Sequence, residues 1–129
     1  MRVHGPRYVS VYARACPTRE VLATIANKWC VLVLASLNDR PHRFGELKRQ
    51  IDGISLRMLA KTLRELERDG IVERHVVRTH PPAVSYDITE LGRTLAPIIS
   101  QLNDWSEVNI IRIEDARQVY DADREATAR

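Results

Sequence analysis

The sequence predicts a mainly α-helical chain that carries one small β-hairpin. Three observations lead there. Apolar residues recur at helical spacing over most of the chain, and only residues 71–88 have strand composition. That stretch is divided by Thr79-His80-Pro81-Pro82, a turn with no helix potential. At 129 residues the chain is long enough for one compact domain and too short for two ordinary ones. Hydrophobic residues make up 44% and charged residues 29%, a globular balance, and the seven aromatic residues leave the core to Leu, Ile and Val.

Taken in order, Cys16-Pro17-Thr18 opens a first helix, since proline is tolerated at the first helical position, and Val21, Leu22 and Ile25 follow at helical spacing. Ala26-Asn27 is expected to break it, with Asn in the left-handed C-cap conformation. Lys28 to Leu37 is nearly all apolar and predicts a buried helix, ended by Asn38-Asp39-Arg40-Pro41. Phe44, Leu47 and Ile51 mark a short third helix, closed by Asp52-Gly53. Ser55 is a good N-cap for a fourth, which runs to Asp69 and stops at Gly70. Strands are expected over Ile71–Arg78 and Ala83–Ile88. Thr89 and Glu90 then cap a last helix with a seam of Leu91, Leu95, Ile98, Leu102 and Trp105, of coiled-coil type and kinked at Pro97.

Three short helices followed by a two-stranded hairpin outline a winged helix-turn-helix. The expected organisation is an N-terminal arm at 1–15 within the dimer contact, a winged helix-turn-helix at 16–88, and a dimerisation helix with an acidic tail at 89–129. The fold is therefore a winged helix-turn-helix with additional N- and C-terminal dimerisation helices.

Charge is unevenly spread. The chain carries +3 overall, but residues 40–78 hold ten Lys/Arg against six Asp/Glu, while residues 79–129 hold five against nine. A basic middle suits a polyanion, because Lys and Arg release the counterions condensed on phosphates, whereas the acidic tail should point away from it. No apolar run reaches the roughly 18–20 residues a membrane span needs, and the first residues lack a secretory core, so a cytoplasmic protein without membrane partners is expected. The four dispersed histidines and two cysteines, Cys16 and Cys30, give neither a disulfide framework nor a metal site, and no cofactor motif is present.

On a helix at about 100° per residue, Leu56, Leu59, Leu63 and Leu66 gather on one face of residues 55–69. Arg57, Lys61, Arg64 and Arg68 gather on the other. A major groove admits one helix, with base edges on its floor and phosphates on its rims. The N-terminal turns would meet bases, so Arg57, Met58, Lys61 and Thr62 are the candidates for groove contact with double-stranded DNA. Ser55 and Arg64 are candidates for phosphates, and Arg68 lies too far along to add much. In the hairpin, Arg78 and His80 are the wing candidates, with Arg43 and Lys48 of the preceding helix on phosphates. The competing reading is an ordinary surface helix laced by Glu65, Glu67 and Asp69; those acids cluster at its C-terminal end, away from the groove.

Several separate stretches resemble the HxlR-type regulators. They are Cys16-Pro17, Lys28-Trp29, Arg43-Phe44-Gly45-Glu46-Leu47, Gly53-Ile54-Ser55, residues 63–72 (LRELERDGIV) and residues 86–93 (YDITELGR), in order over about residues 14–107. The resemblance implies homodimeric bacterial regulators that bind palindromic operators and pair through their N-terminal and last helices. It also implies, in many members, sensing of electrophiles or oxidants through a cysteine just before the first helix, where Cys16 stands. Two departures stand out. The usual Gly-Gly before Lys-Trp is Ala26-Asn27, and Cys30 is a second thiol at a position where cysteine is uncommon.

A thiol at a helix N-terminus, with Arg14 and Arg19 nearby, has a lowered pKa and more of the reactive thiolate. On the residues alone, the plainer reading of Cys16 is a small inert residue at a helix start. The resemblance turns it into a sensor candidate. Cys30 shares a face with Leu34 and Leu37 and is expected in the core. The expected function is thus a sequence-specific homodimeric regulator, a repressor, possessing an effector site for electrophiles or oxidants at Cys16. The alternatives are a winged-helix regulator controlled by a small ligand, and a nonspecific DNA-binding protein. A thiol enzyme has no partner base to support it, so no enzymatic activity is expected.

Overall fold

The computed structural model describes Tyr12 and residues 17–128, so Cys16 and nearly all of the N-terminal arm lie outside the described residues. The elements are α1 (Pro17–Ile25), α2 (Lys28–Asp39), β1 (His42–Arg43), α3 (Phe44–Gln50), α4 (Leu56–Arg68), β2 (Val72–Thr79), β3 (Pro82–Ile88) and α5 (Glu90–Ala128). Strand composition and helical periodicity therefore place every major element, and the fold is a winged helix.

α2 is the central element. Val33, Leu34 and Leu37 are buried on it, and it packs against α1, α3, α4, β3 and α5. The α1–α2 break works differently from the expectation. Asn27 is extended (φ −69°, ψ 138°), and its Oδ1 accepts the Trp29 N–H at 2.9 Å. It is the N-cap of the helix that follows, because the free amides at a helix start need a partner that an Asn side chain supplies. The left-handed C-cap is thus corrected.

The sheet has three antiparallel strands in the order β1-β3-β2. Strand β1 has no counterpart in the sequence reading, since two residues carry no periodicity. It pairs His42 with Tyr86 and Arg43 with Ser85. β2 and β3 run from Val72 opposite Ile88 to Thr79 opposite Pro82, with an irregularity between Val76 and Arg78. The tip is consequently narrower than expected, His80-Pro81, because Thr79 and Pro82 belong to the strands.

α5 is one helix of 39 residues, about 58 Å long at 1.5 Å per residue. It runs through Pro97, which faces solvent, where the Arg93 carbonyl freed by the missing N–H can bond water. The acidic segment expected as a tail is the helical continuation of this element. Only Gly92, Ala96 and Ile99 are buried on it, one stripe at i, i+4 and i+7. Thr89 fastens its start: the Oγ1 accepts the Gly92 N–H at 3.0 Å and lies 2.6 Å from the Gly70 carbonyl, to which it donates. Of the predicted seam, Leu95 is half-buried against the core, whereas Leu91, Ile98, Leu102 and Trp105 are 47–60% exposed. Among the described residues no single helix is long and apolar enough to cross a membrane.

Candidate nucleic-acid interface

α3 and α4 are joined by a tight turn. Gly53 has φ +88°, a conformation that favours glycine, and it lets Ile51 and Ile54 on either side enter the core. Ser55 then caps α4, its Oγ accepting the Met58 N–H at 3.0 Å. The hydroxyl proton of Ser55 remains available to an acceptor, and α4 begins with free amides pointing outward, a favourable place for a phosphate.

Leu59, Leu63 and Leu66 are buried to within 1% on α4, each contributing about 2 kcal/mol relative to exposure. Two residues depart from the expected faces. Leu56 is 62% exposed, and Thr62 is buried, its hydroxyl donating to the Met58 carbonyl at 2.8 Å. Angle alone does not separate them: at about 100° per residue, Leu56 and Thr62 flank the leucine stripe on opposite sides, about 55° and about 65° from its centre, and the flank that carries Thr62 is the one covered by the rest of the protein. Thr62 therefore leaves the groove-facing set. Arg57, Lys61, Arg64 and Arg68 are all exposed and centred opposite that stripe.

These cations are not equivalent. Arg57 stands in the first turn beside Ser55, with Met58 half-buried at its side. Lys61 is held by Glu65, Nζ to Oε2 3.0 Å, an exposed i,i+4 pair. Such pairs are worth only about 0.3–0.5 kcal/mol, so a phosphate can displace Glu65. Arg64 projects unpaired among the described residues.

The second group of candidates gathers at the sheet. Arg43 is exposed at the start of α3, where its N–H donates to Glu46 Oε1 at 2.8 Å. That bond, with Arg40 nearby, holds the Glu46 carboxyl below the usual carboxylate range. Pairing of Arg43 with Ser85 ties the start of α3 to the hairpin. Lys48 is half-buried on α3. Arg78 spans the wing tip, its Nε donating to the Pro81 carbonyl at 3.1 Å, and His80 is exposed at the tip itself. The irregular pairing before Arg78 and this clasp were not legible in the sequence, because both depend on strand register.

Cys30 is 2% exposed and packs in the core, as expected. Burial, reinforced by Glu65 and Asp69, pushes its thiol up to about 11, with Lys61 acting in the opposite direction. Since thiolate is the nucleophile, iodoacetamide at pH 8 is expected to leave Cys30 unmodified in the folded protein and to label it only in denaturant. Labelling of native Cys30 at the rate of a free thiol would show the core to be open. The raised folded-state pKa also means that stability falls as pH rises from about 9 towards 11, where the unfolded chain releases the thiol proton first. Among the described residues no three His, Cys, Asp or Glu side chains gather to hold a metal ion.

The HxlR-like helix-turn-helix family profile matches residues 24–114. The chain belongs to this family. The HxlR-like chain is 39% identical to the HTH-type transcriptional regulator YtfH of Escherichia coli (strain K12) over 111 residues, 84% of this chain and 88% of the relative. Its structure is similar to that of the transcriptional regulator YtfH from Salmonella typhimurium, with TM-score 0.81, 38% identity, and coverage of 84% of this chain and 97% of the other. It is also similar to the redox regulator HypR in its reduced form, with TM-score 0.70, 42% identity, and coverage of 77% and 98%. This HxlR-like protein is a helix-turn-helix transcriptional regulator.

Proposed function

We propose that the protein is a homodimeric repressor that binds a palindromic operator, with the N-terminal turns of α4 in the major groove and the hairpin as a wing. The carrying observation is α4 itself: its buried leucines lock one face to the body, while Arg57, Lys61 and Arg64 line the opposite face. Arg57, Met58 and Lys61 contact base edges; Ser55, Arg64, Arg43 and Lys48 contact phosphates; Arg78 and His80 lie along the flanking backbone or minor groove. The exposed apolar residues Leu91, Ile98, Leu102 and Trp105 support pairing of α5 with a second copy.

Selection of bound sequences from random duplexes tests this reading. A palindrome with half-sites about one helical turn apart is the expected product. A set without sequence preference, bound with a steep salt dependence, would instead indicate a nonspecific DNA-binding protein.

Similarity to HypR, a redox regulator, supports a sensing role for Cys16 in this chain. Modification there would alter the spacing of the two reading helices and so the operator affinity. Diamide or a quinone is expected to change operator binding of the wild type by tenfold or more on the order-of-magnitude scale of allosteric coupling. Cys16→Ser is expected to abolish the response. A Cys16→Ser protein that still responds removes this thiol from the mechanism.

A further inference from the structure

Ile99 is the last buried residue of α5, yet the helix continues through residues 100–128. On that continuation Trp105, Val108, Ile111, Val119 and Tyr120 are each more than half exposed. Apolar residues left in water add nothing to the stability of a lone helix, so this length of α5 needs a covering surface.

The spacing of its apolar seam identifies that surface. The seam of Leu91, Leu95, Ile98, Leu102 and Trp105 runs on through Asn109, Ile113, Ala116 and Tyr120. At about 100° per residue, all of them fall within about 45° of one line along the helix. Counted forward from Leu91 the steps are four, three and four residues, and counted backward from Tyr120 they are again four, three and four. An antiparallel pair about a two-fold axis requires this symmetry, because whatever residue i meets must meet i in return. With the axis between Trp105 and Ser106, Leu91 faces the partner's Tyr120, Leu95 the partner's Ala116, Ile98 the partner's Ile113, and Leu102 the partner's Asn109. A parallel pair imposes no such symmetry on the spacing.

The antiparallel register carries the far end of α5 to a cleft on the other copy. This apolar cleft, of about 310 Å³, lies between α1, the α4–β2 junction and the start of α5. Val21, Ile25, Ile71, Leu91 and Leu95 wall it, and Asp69 also lines it; Glu20 joins Asp69 in the polar groove alongside. The far end of α5 is complementary. Tyr120 and Arg124 form one apolar and cationic unit, the guanidinium 5.6 Å from the ring centroid and its Nη1 donating to the Tyr120 hydroxyl oxygen at 3.0 Å. On the side of α5 that bears Gly92 and Ile99, the turns after Asn109 present Ile113, Arg117, Tyr120 and Arg124 within about 90° of the seam, and no acidic residue. A two-fold axis between antiparallel helices sets both bodies on that same side, so this flank meets the body of the partner.

We propose that α5 pairs antiparallel with α5 of a second copy, and that Tyr120 and Arg124 of each copy close the α1–α5 cleft of the other. Tyr120 lies against the apolar walls, and Arg124 reaches towards Asp69 and Glu20. Parallel pairing would leave the cleft and the Arg117–Arg124 flank uncovered. Tyr120 and Arg124 lie beyond the residues matched by the family profile, so this contact is additional to the shared fold. It rests on the homodimer proposed above and not on DNA binding.

Cysteine cross-linking of the full chain in a Cys16→Ser background tests the register. Leu91→Cys and Tyr120→Cys are made separately and together. The two positions are about 44 Å apart along one helix, so a disulfide between them joins two chains. Under copper-phenanthroline, the double variant and an equilibrated mixture of the two single variants are expected to give covalent dimers, and each single variant alone is not. Single variants that link to themselves show a parallel pair and overturn the proposal while leaving the homodimer. No link in any sample from a chain that sediments as a dimer overturns it in the same way. A chain that sediments as a monomer removes the homodimer and this pairing together, and selection of bound duplexes remains a separate test of DNA binding.

Sedimentation equilibrium then tests the cleft. Tyr120→Ala is expected to weaken dimerisation about 10–100-fold, the scale of a buried aromatic anchor. Arg124→Glu is expected to weaken it about tenfold, and Glu20→Arg, at an exposed position on α1, to restore part of that loss. Positions 120 and 124 lie beyond the last buried residue of α5, so circular dichroism is expected to show each variant folded. Wild-type dimer affinity in Tyr120→Ala overturns the seating of Tyr120 in the cleft. An Arg124→Glu loss that Glu20→Arg leaves unchanged or deepens overturns the charge contact across the two copies.

Discussion

Replacing Gly92 by alanine is expected to lower the unfolding midpoint by roughly 10 °C, from a loss of about 3 kcal/mol at the upper end of typical overpacking costs. The added Cβ would overlap the Ile71 carbonyl oxygen and the Ile88 side chain. The oxygen is the less able to yield. It accepts the Thr89 N–H at 3.0 Å, within the clasp that fixes the start of α5 to the α4–β2 junction. Moving it would loosen α5, β2 and the end of α4 together. The helical glycine at position 45 provides the contrast. A Cβ there meets only the tip of Arg49, at an ordinary 3.5 Å. Gly45→Ala should be neutral or stabilising by up to about 1 kcal/mol, since alanine is the better helix former. Thermal unfolding of the two variants under one condition checks the sign of both. Equal effects would mean that α5 does not approach Ile71 as closely as the structure shows.

The sequence around Gly92 shows which features of the fold can be inferred before coordinates. YDITELGR belongs to the stretches that resemble the HxlR-type regulators, yet nothing in it tells that Gly92 faces the Ile71 carbonyl across 21 positions of chain. Periodicity revealed α2 and α4 because each has several strongly apolar positions at one helical phase. It does not separate Leu56 from Thr62, because the two flank the leucine stripe at similar angles on opposite sides and only the packing of α4 on the rest of the protein decides which flank is covered. A buried Thr is affordable here only because its hydroxyl donates to the Met58 carbonyl. Asn27 was misjudged for a related reason, since the same side chain suits a C-cap and an N-cap, and only the backbone angles decide. β1 exists solely through tertiary pairing. The candidate site was legible where it depends on one helix, and illegible where it depends on strand register.

In DNA binding, the largest expected change is for Arg57→Ala, about 10–100-fold weaker binding to the selected operator with little change on a random duplex, the cost of one base-reading side chain. Arg57 qualifies because it is exposed in the first turn of α4, which is anchored by the Ser55 cap and held by Leu59 directly behind it. Arg64→Ala should differ in kind. Arg64 lies two turns further along and is free of ion pairs among the described residues, and on the proposed reading it contacts a phosphate. Its loss should weaken operator and random duplex alike and reduce the slope of log K against log salt by about one per phosphate contact in each protomer. Lys61→Ala should fall between them, because deleting Lys61 also frees Glu65, whose charge then repels the groove rim. Glu65→Gln isolates that contribution: it removes the competing partner while leaving Lys61 in place, and should tighten binding on both duplexes. Fluorescence anisotropy at several salt concentrations measures all four variants on both DNAs. If Arg57→Ala and Arg64→Ala lose affinity equally on operator and random duplex, α4 is a basic surface and not a reading helix. If Glu65→Gln weakens binding, Lys61 requires its pair for orientation and meets the DNA through it.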